Sequence, residues 1–343
     1  MKTKGDRAWF FFFILRPSSF IHMPLSAIIL AAGKSTRMKS RRPKVLHEVC
    51  GKPMLDYVLK ACYDAGCEKL FVVVGYGKEE VIGAFDHDDR ITWIEQTEQL
   101  GTGHAAKCCE KQIREAGGDI FILAGDGPLI RGEVLQTLHN AHRQERAAAS
   151  MATAILDDPT GYGRVIRDKK GDFVEIIEQL DASPAQREIK EVFPSYYCIK
   201  SEDLLLGLTK LKNENKKGEF YLTDIYGILA KAGKKVVAVQ AVSAEDVIGI
   251  NTRQHLAEVD AIMQDRIQRS LRENGVTITQ SETTYIESGV NIGPETCIRP
   301  FTFIGRDSSI GAECEIGPFV SIPRESIVSE GSSVSGNVSF EKQ

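Results

Sequence analysis

No two of the eight cysteines (Cys50, Cys62, Cys67, Cys108, Cys109, Cys198, Cys297 and Cys314) form a CxxC pair or fit a metal-ligand spacing. That disfavours a zinc site, and it favours reduced thiols of a cytoplasmic protein over a disulfide framework. Charge of one sign is also scarce: 43 Lys and Arg stand against 47 Asp and Glu, a net charge of -4. Nothing in that balance suits a nucleic-acid or acidic-membrane partner, so any anion site has to be local and built from chosen cations. No apolar run is long enough to span a bilayer. There is no GxGxxG and no GxxxxGK[ST], which argues against a dinucleotide site and a P-loop. No Ser/His/Asp or Cys/His set appears. His47 and His104, the histidines nearest the candidate loops, read as structural.

What is present begins at the carboxyl end. Ile286, Ile292, Ile298, Ile304, Ile310, Ile316, Ile322, Val328, Val334 and Phe340 recur every six residues. Helices and single strands do not have that period. A coil of three short parallel strands does, with one aliphatic side chain per face filling the core. The period predicts a short left-handed parallel β-helix over residues 276–343. Its coils cannot bury their own ends, so a partner or cap is expected.

The rest of the chain reads as α/β. Continuous apolar runs at 25–32 (LSAIILAA), 69–75 (KLFVVVG), 91–95 and 119–124 (DIFILA) are strands buried on both faces. Helical patterns lie between them at 53–65, 78–85, 102–115 and 131–146. This alternation predicts a Rossmann-like, mostly parallel sheet over residues 23–250, with ligands beyond the carboxyl ends of the strands. Residues 153–199 read as an insertion able to close over a substrate. A helical stretch at 218–232 and a strand at 236–242 follow. Residues 251–275 form a linker helix with an apolar stripe at Leu256, Val259, Met263, Ile267 and Leu271 and Gly275 as its cap. Residues 1–22 hold a basic start and the apolar run 9–15, and they read as a misassigned start or a tail rather than a signal.

Three loops could carry chemistry. Gly33-Lys34-Ser35-Thr36-Arg37, with Pro43-Lys44, offers a close-approach glycine, backbone amides and two cations suited to a polyphosphate. A plain tight turn with solvated cations fits equally. Gln96, near Gly101 and Thr102, has an amide able to pair with a pyrimidine edge; a surface Gln beside a capping Thr is the plainer alternative. Asp126, in Gly125-Asp126-Gly127-Pro128, and Asn251 could be oxygen ligands of Mg²⁺. A structural turn for Asp126 and a helix N-cap for Asn251 are the competing readings.

In this order the pieces resemble the sugar-1-phosphate nucleotidylyltransferases. The residues that carry the resemblance are 30–38 (LAAGKSTRM), 43–46 (PKVL), 98–104 (EQLGTGH), 157–164 (DDPTGYGR) and 218–224 (GEFYLTD). Within that group the chain is most similar to the N-acetylglucosamine-1-phosphate uridyltransferases, the amino-terminal half of a bifunctional bacterial enzyme. The resemblance implies a cytoplasmic, Mg²⁺-dependent transfer from UTP to a hexosamine-1-phosphate. It implies phosphate binding by Arg37 and Lys44, and nucleotide binding by Leu30, Ala32, Gly33, Gln96, Gly101 and Thr102. It further implies sugar contacts from Gly163 and Glu178, with Thr102 close by, and metal ligation by Asp126 and Asn251. A homo-oligomer, three-fold through the β-helix, is expected; acetyltransferase activity is not, because the coils stop early. Departures fall at Ala124, where the family has Tyr, at Phe193, where it has Asn, at Ser35, where it has Gly, and at Ile322-Pro323, where it has Arg-Pro. Two of them, Ala124 and Phe193, touch the sugar pocket. Another sugar phosphate, CTP, or a silent nucleotide-binding subunit are the alternatives.

Overall fold

The computed structural model describes residues 24–34 and 36–336. The expected tail at 1–22, the Ser35 departure and the last six-residue position, Phe340, lie outside the described residues.

The amino-terminal part is built on one nine-stranded sheet. Its strands are β1 (Leu25–Leu30), β4 (Lys69–Val74), β5 (Ile91–Glu95), β6 (Asp119–Ala124), β7 (Ala149–Ile155), β8 (Gly163–Arg167), β9 (Phe173–Ile177), β10 (Glu191–Lys200) and β11 (Val236–Gln240). A small antiparallel hairpin, β2 (Glu48–Val49) with β3 (Lys52–Pro53), stands apart. The sheet order is β11-β7-β10-β6-β1-β4-β5, with β8 and β9 added beside β10. The four strands read from the sequence pair in parallel. Their buried faces explain the unbroken aliphatic runs: Ile28, Ile29, Val72, Val73, Ile120 and Ile122 are wholly inaccessible. Helices α1 (Met54–Asp64), α2 (Lys78–Ala84), α3 (Thr102–Lys107), α4 (Glu110–Ala116), α5 (Gly132–Gln144), α6 (Pro184–Arg187), α7 (Ser201–Leu208) and α8 (Asp224–Lys231) supply the connections. The apolar contacts form two large clusters.

Several expectations need correction. The stretch read as an insertion, 153–199, contains β10, which runs antiparallel between β6 and β7 inside the sheet. Its polar and aromatic composition hid it, because a bulge between Val192 and Tyr196 breaks the alternation. The helix expected at 102–115 is two helices, broken at Cys108 and Cys109, so these thiols lie at the junction. The helix expected at 218–232 begins only at Asp224. Residues 218–223 instead form a loop whose Phe220 exchanges backbone hydrogen bonds with Leu100 and Gly103.

Helix α9 (Arg253–Glu273) connects the two parts. Its apolar stripe serves both. Leu256, Val259 and Met263 pack with Met38, Val49 and Met54, while Leu271 joins the β-helix core and Ile267 touches both. The helix ends at Asn274, and Gly275, with φ +89°, is the left-handed residue beyond it.

The six-residue period becomes ten short strands, β12 (Thr277–Ile278), β13 (Thr284–Ile286), β14 (Asn291–Ile292), β15 (Cys297–Ile298), β16 (Thr302–Ile304), β17 (Ser309–Ile310), β18 (Glu315–Ile316), β19 (Val320–Ile322), β20 (Ile327–Val328) and β21 (Ser333–Val334). They form three parallel sheets. Ile286 pairs with Ile304 and Ile304 with Ile322, so one coil takes eighteen residues. This is the hexapeptide-repeat β-helix that the period predicts.

Candidate active site

The catalytic candidates come from separate loops at one end of the sheet. Gly125 and Asp126 directly follow β6, and the Gly125 amide donates to the Leu30 carbonyl at the end of β1 (3.0 Å). The Ile250 amide donates to the Asp126 carbonyl (2.9 Å), which brings Asn251 beside Asp126 from 125 residues away in sequence. Arg37 sits on a short 3₁₀ turn anchored by Met38, which is 1% exposed. Lys44 opens a second such turn, anchored by the buried Val45 and Leu46.

These four side chains meet. Lys44 Nζ donates to Asp126 Oδ2 and to Asn251 Oδ1, the latter at 2.9 Å. Arg37 Nη2 donates to the same Asn251 oxygen at 2.8 Å. Two cations and two oxygen donors thus share one point at the carboxyl edge of the sheet, where ligands of such folds bind. Asn251 is not a helix cap: Thr252 takes that place, its hydroxyl accepting from the His255 amide at 3.1 Å. Asn251 is therefore free of the structural duty that competed with a ligand role.

On one side of this cluster lies a cavity of about 330 Å³, lined by Leu30, Ala32, Gly33, Gln96, Gly101 and Thr102, among others. All six residues expected at a nucleotide site meet there. Gln96 is 5% exposed, not a surface residue. Its Nε2 donates to the Gly101 carbonyl (3.3 Å) and lies 3.0 Å from His104 Nδ1, so its orientation is fixed. Thr102 is the first residue of α3, behind Gly101 at the cap, and its hydroxyl accepts from the Leu222 amide (3.1 Å). Gly101 has φ +108°, and a Cβ there would meet the Phe220 carbonyl oxygen at 2.7 Å, so only glycine fits.

On the other side lies a second cavity, of about 430 Å³, reached by Arg37, Gly163, Glu178, Phe193, Ser195 and Asn251. Ala124, Asp126 and Ser195 line both cavities and mark their junction. Glu178 Oε1 accepts from the Thr223 hydroxyl (3.0 Å). Burial pushes the Glu178 carboxyl up, against the opposing pull of Thr223 and Lys217. A Cβ on Gly163 would stand 3.8 Å from both Glu178 oxygens, so that backbone and the carboxylate face each other closely. Phe193 is 3% exposed and packs edge-on against Tyr197 (4.7 Å) and Tyr226 (5.7 Å). Ser195 adopts φ +69° at the bulge of β10.

The donor set fits Mg²⁺. One carboxylate oxygen and one amide oxygen already converge on a single positive nitrogen, and such hard oxygens suit a cation that keeps few protein ligands. Among the described residues there is no cluster of three or more His, Cys, Asp or Glu side chains that could hold a metal.

Comparison with known proteins agrees with this geometry. Residues 27–191 match the MobA-like NTP transferase domain. The bifunctional protein GlmU of Brevibacillus brevis is 41% identical over 280 residues, which is 82% of this chain and 60% of that protein. GlmU of Pelotomaculum thermopropionicum is 43% identical over 82% of this chain and 61% of its own length. The chain is thus similar to GlmU over 82% of its length and carries a match to an NTP transferase domain in its amino-terminal part. It spans about three fifths of the length of the curated GlmU relatives it matches. A UDP-glucose pyrophosphorylase solved with UDP-glucose shares the fold, with a TM-score of 0.58 at 17% identity over 71% of this chain and all of that one.

Some neighbours of the site carry no mark in the sequence. Thr223 lies inside the GEFYLTD stretch, yet only the fold reveals that it holds Glu178. His255 borders the second cavity and its Nδ1 accepts from the Asn251 amide (3.3 Å). No local pattern marks it, since it is one half-buried residue in the first turn of a long helix. His47, in contrast, is buried beneath Arg253, and burial and the nearby cations push its pKa down. No helix among the described residues is long and apolar enough to cross a membrane.

Proposed function

We propose that the chain is a Mg²⁺-dependent uridylyltransferase that joins UTP to a hexosamine-1-phosphate, N-acetylglucosamine-1-phosphate first among them. The observation that carries this reading is the meeting of Arg37, Lys44, Asp126 and Asn251 where two cavities adjoin at Ala124, Asp126 and Ser195. In the reading, the nucleotide fills the cavity of Gln96 and the sugar phosphate fills that of Glu178. A phosphate oxygen of the sugar-1-phosphate attacks the α-phosphorus of UTP. The bond from that phosphorus to the bridging oxygen breaks, and pyrophosphate leaves with the electron pair.

Such a transfer needs positioning and charge neutralisation, not a nucleophilic side chain. Arg37 and Lys44 supply two cations at the phosphates. Asp126 and Asn251 would hold the Mg²⁺, which when bound neutralises phosphate charge further. Gln96, already oriented by Gly101 and His104, offers its amide to the uracil edge. Glu178 and the Gly163 backbone receive sugar hydroxyls. Divisions after residues 250 and 275, a cytoplasmic location and a homo-oligomer, three-fold through the β-helix, belong to the same reading.

One observation favours a second sugar. Ala124 and Phe193 make part of the acceptor cavity's wall apolar, and Phe193 is locked by two tyrosines. The deciding assay measures pyrophosphate release for each nucleoside triphosphate against a panel of sugar-1-phosphates, with and without Mg²⁺. Release with UTP and N-acetylglucosamine-1-phosphate, lost on chelation, is expected. Release only with CTP, or none with any pair, would remove the reading.

A further inference from the structure

Arg164 is one of the largest side chains that the fold buries completely, with 1% of it exposed. Its guanidinium makes no ion pair among the described residues, and hydrogen bonds to two backbone carbonyls take the place of one. Nε and Nη2 donate to the Arg187 carbonyl (3.3 and 3.1 Å), and Nη1 donates to the Tyr162 carbonyl. A buried cation without a carboxylate is costly unless its donors are used. The planar fork can reach two carbonyls at once from one fixed plane, and an ammonium cannot.

The two carbonyls belong to different segments. Arg187 is the last residue of α6, the short helix that starts at the Ser183 capping box. Tyr162 precedes Gly163, and both line the acceptor cavity. A peptide unit is planar and trans, so its carbonyl and the following amide point in opposite directions. Holding the Tyr162 carbonyl therefore fixes the plane of the Tyr162–Gly163 peptide, and with it the backbone that Gly163 turns to the cavity. The sheet supports that setting: Gly163 pairs with Phe193 and Arg164 with Val192 on β10, and Arg164 pairs with Ile177 on β9. Tyr162 passes the constraint on, since its hydroxyl donates to the carbonyl of Val247 (3.4 Å), in the segment that leads to Asn251. One buried fork thus ties together α6, the Gly163 peptide and, through Tyr162, the approach to Asn251.

We propose that Arg164 is a positioning residue for the acceptor: it holds the Tyr162–Gly163 peptide in the orientation that receives the sugar of the sugar-1-phosphate, without touching that substrate. The inference rests on the reading of this cavity as the acceptor site. The experiment is steady-state kinetics of the whole chain, each substrate varied in turn, for the wild type, Arg164→Lys and Arg164→Met. Arg164→Lys keeps a cation and loses the fork; Arg164→Met loses both. The KM for N-acetylglucosamine-1-phosphate should rise about tenfold in Arg164→Lys and further in Arg164→Met, while the KM for UTP changes less than about twofold. Hydrogen exchange is the companion measurement: peptides covering residues 160–164 should be protected in the wild type and exchange faster in Arg164→Lys.

Equal rises in both KM values would overturn the proposal, since a general loosening of the fold would then be the cause. So would an unmoved acceptor KM beside faster exchange, which leaves Arg164 a structural staple alone. Fast exchange over 160–164 in the wild type would overturn it as well. Should Arg164→Met fail to fold, Arg164→Lys and the wild-type exchange carry the test. No turnover in the wild type would remove the transfer reading, and the proposal with it; normal wild-type turnover with an unmoved acceptor KM in the variants removes the proposal alone.

Discussion

Lys44 carries more contacts of consequence than any other residue of the site. Its ammonium touches both Asp126 and Asn251. Asp126 is the acid in this arrangement, so its removal isolates the electrostatic contribution. Asp126→Asn keeps the side-chain shape and removes the charge. Turnover should fall by about two to three orders of magnitude, with the melting temperature little changed because the group is only half-buried. Steady-state rates beside a thermal melt check this; near-normal turnover would remove Asp126 from the reaction. Phe193 makes the opposite case. Its ring is inaccessible and edge-packed on Tyr197 and Tyr226, so Phe193→Ala should cost about 3 kcal/mol of stability. Denaturant titration reads that loss directly. The sequence marked both residues for different reasons. Asp126 was legible because a carboxylate after a buried parallel strand has a stereotyped address. Phe193 was legible only as a departure from a family pattern, and its aromatic partners, Tyr197 and Tyr226, come from elements 29 residues apart in sequence that no local spacing connects.

At the scale of elements, the β-helix has a second six-residue period beneath the aliphatic one. Gly289, Glu295, Phe301, Asp307, Glu313, Phe319, Glu325 and Gly331 all have φ between +55° and +84°. Each lies three residues after a core aliphatic, at a corner where the chain turns onto the next face. Most are not glycine, so each corner costs backbone energy that the stacked core must offset. The aliphatic beat was readable because one side chain per face fills a closed interior. The corner beat was not, because Glu, Phe and Asp signal no left-handed turn by type. Ile298 is fully buried and stacks between Ile278 and Ile316. Ile298→Ala should therefore cost about 3 kcal/mol, measured as the shift in a chemical-denaturation midpoint.

Helix α8 shows a different conflict. Burial, then the charges of Glu178, Asp181 and Glu175, push the Asp224 carboxyl up to about 6. A carboxyl raised above its unfolded value favours the folded chain most when protonated. The penalty on folding grows as pH rises from the unfolded value near 3.8 through about 6. Asp224→Asn should raise the melting temperature at pH 8 and lose most of that gain at pH 4. An equal gain at both pH values would show that charge is not the cause.

Across the whole molecule, the two parts are joined by more than helix α9. The β-helix docks on the hairpin of β2 and β3. Ser288 donates its amide to the Cys50 carbonyl (2.8 Å), Arg306 Nη1 donates to the Gly51 carbonyl (2.6 Å), and Lys52 pairs with Asp307 (3.0 Å). Glu287, 5% exposed, is the centre of this contact. It accepts from Arg324 Nε and Nη2, both at 2.7 Å, and from the Arg306 amide at 2.8 Å. Arg324 reaches on to Glu48 (3.2 Å), and Glu48 to Arg42 (3.3 Å), so a line of charges runs from the coil to the loop between Arg37 and Lys44. Burial pushes the Glu287 carboxyl up, but the forked Arg324 pair and the Arg306 amide outweigh it and hold the group below the usual range. The stabilisation from a lowered carboxyl is complete above its unfolded value and is lost as pH falls through the folded one. Glu287→Gln removes the charge and leaves the half-exposed Arg324 with Glu48 as its remaining acid. That should cost about 1–2 kcal/mol at pH 7, between the values for exposed and buried pairs. As pH falls below the ordinary carboxyl value of 4.5, that stabilisation is progressively lost from the wild type, so the difference between the two proteins should shrink. Melts of both proteins from pH 7 down to pH 3 supply the comparison. A gap that stays constant over that range would mean that packing against Gly51, where a Cβ would come within 2.4 Å of the Glu287 carboxyl carbon, and not the charge, holds the coil to the amino-terminal part.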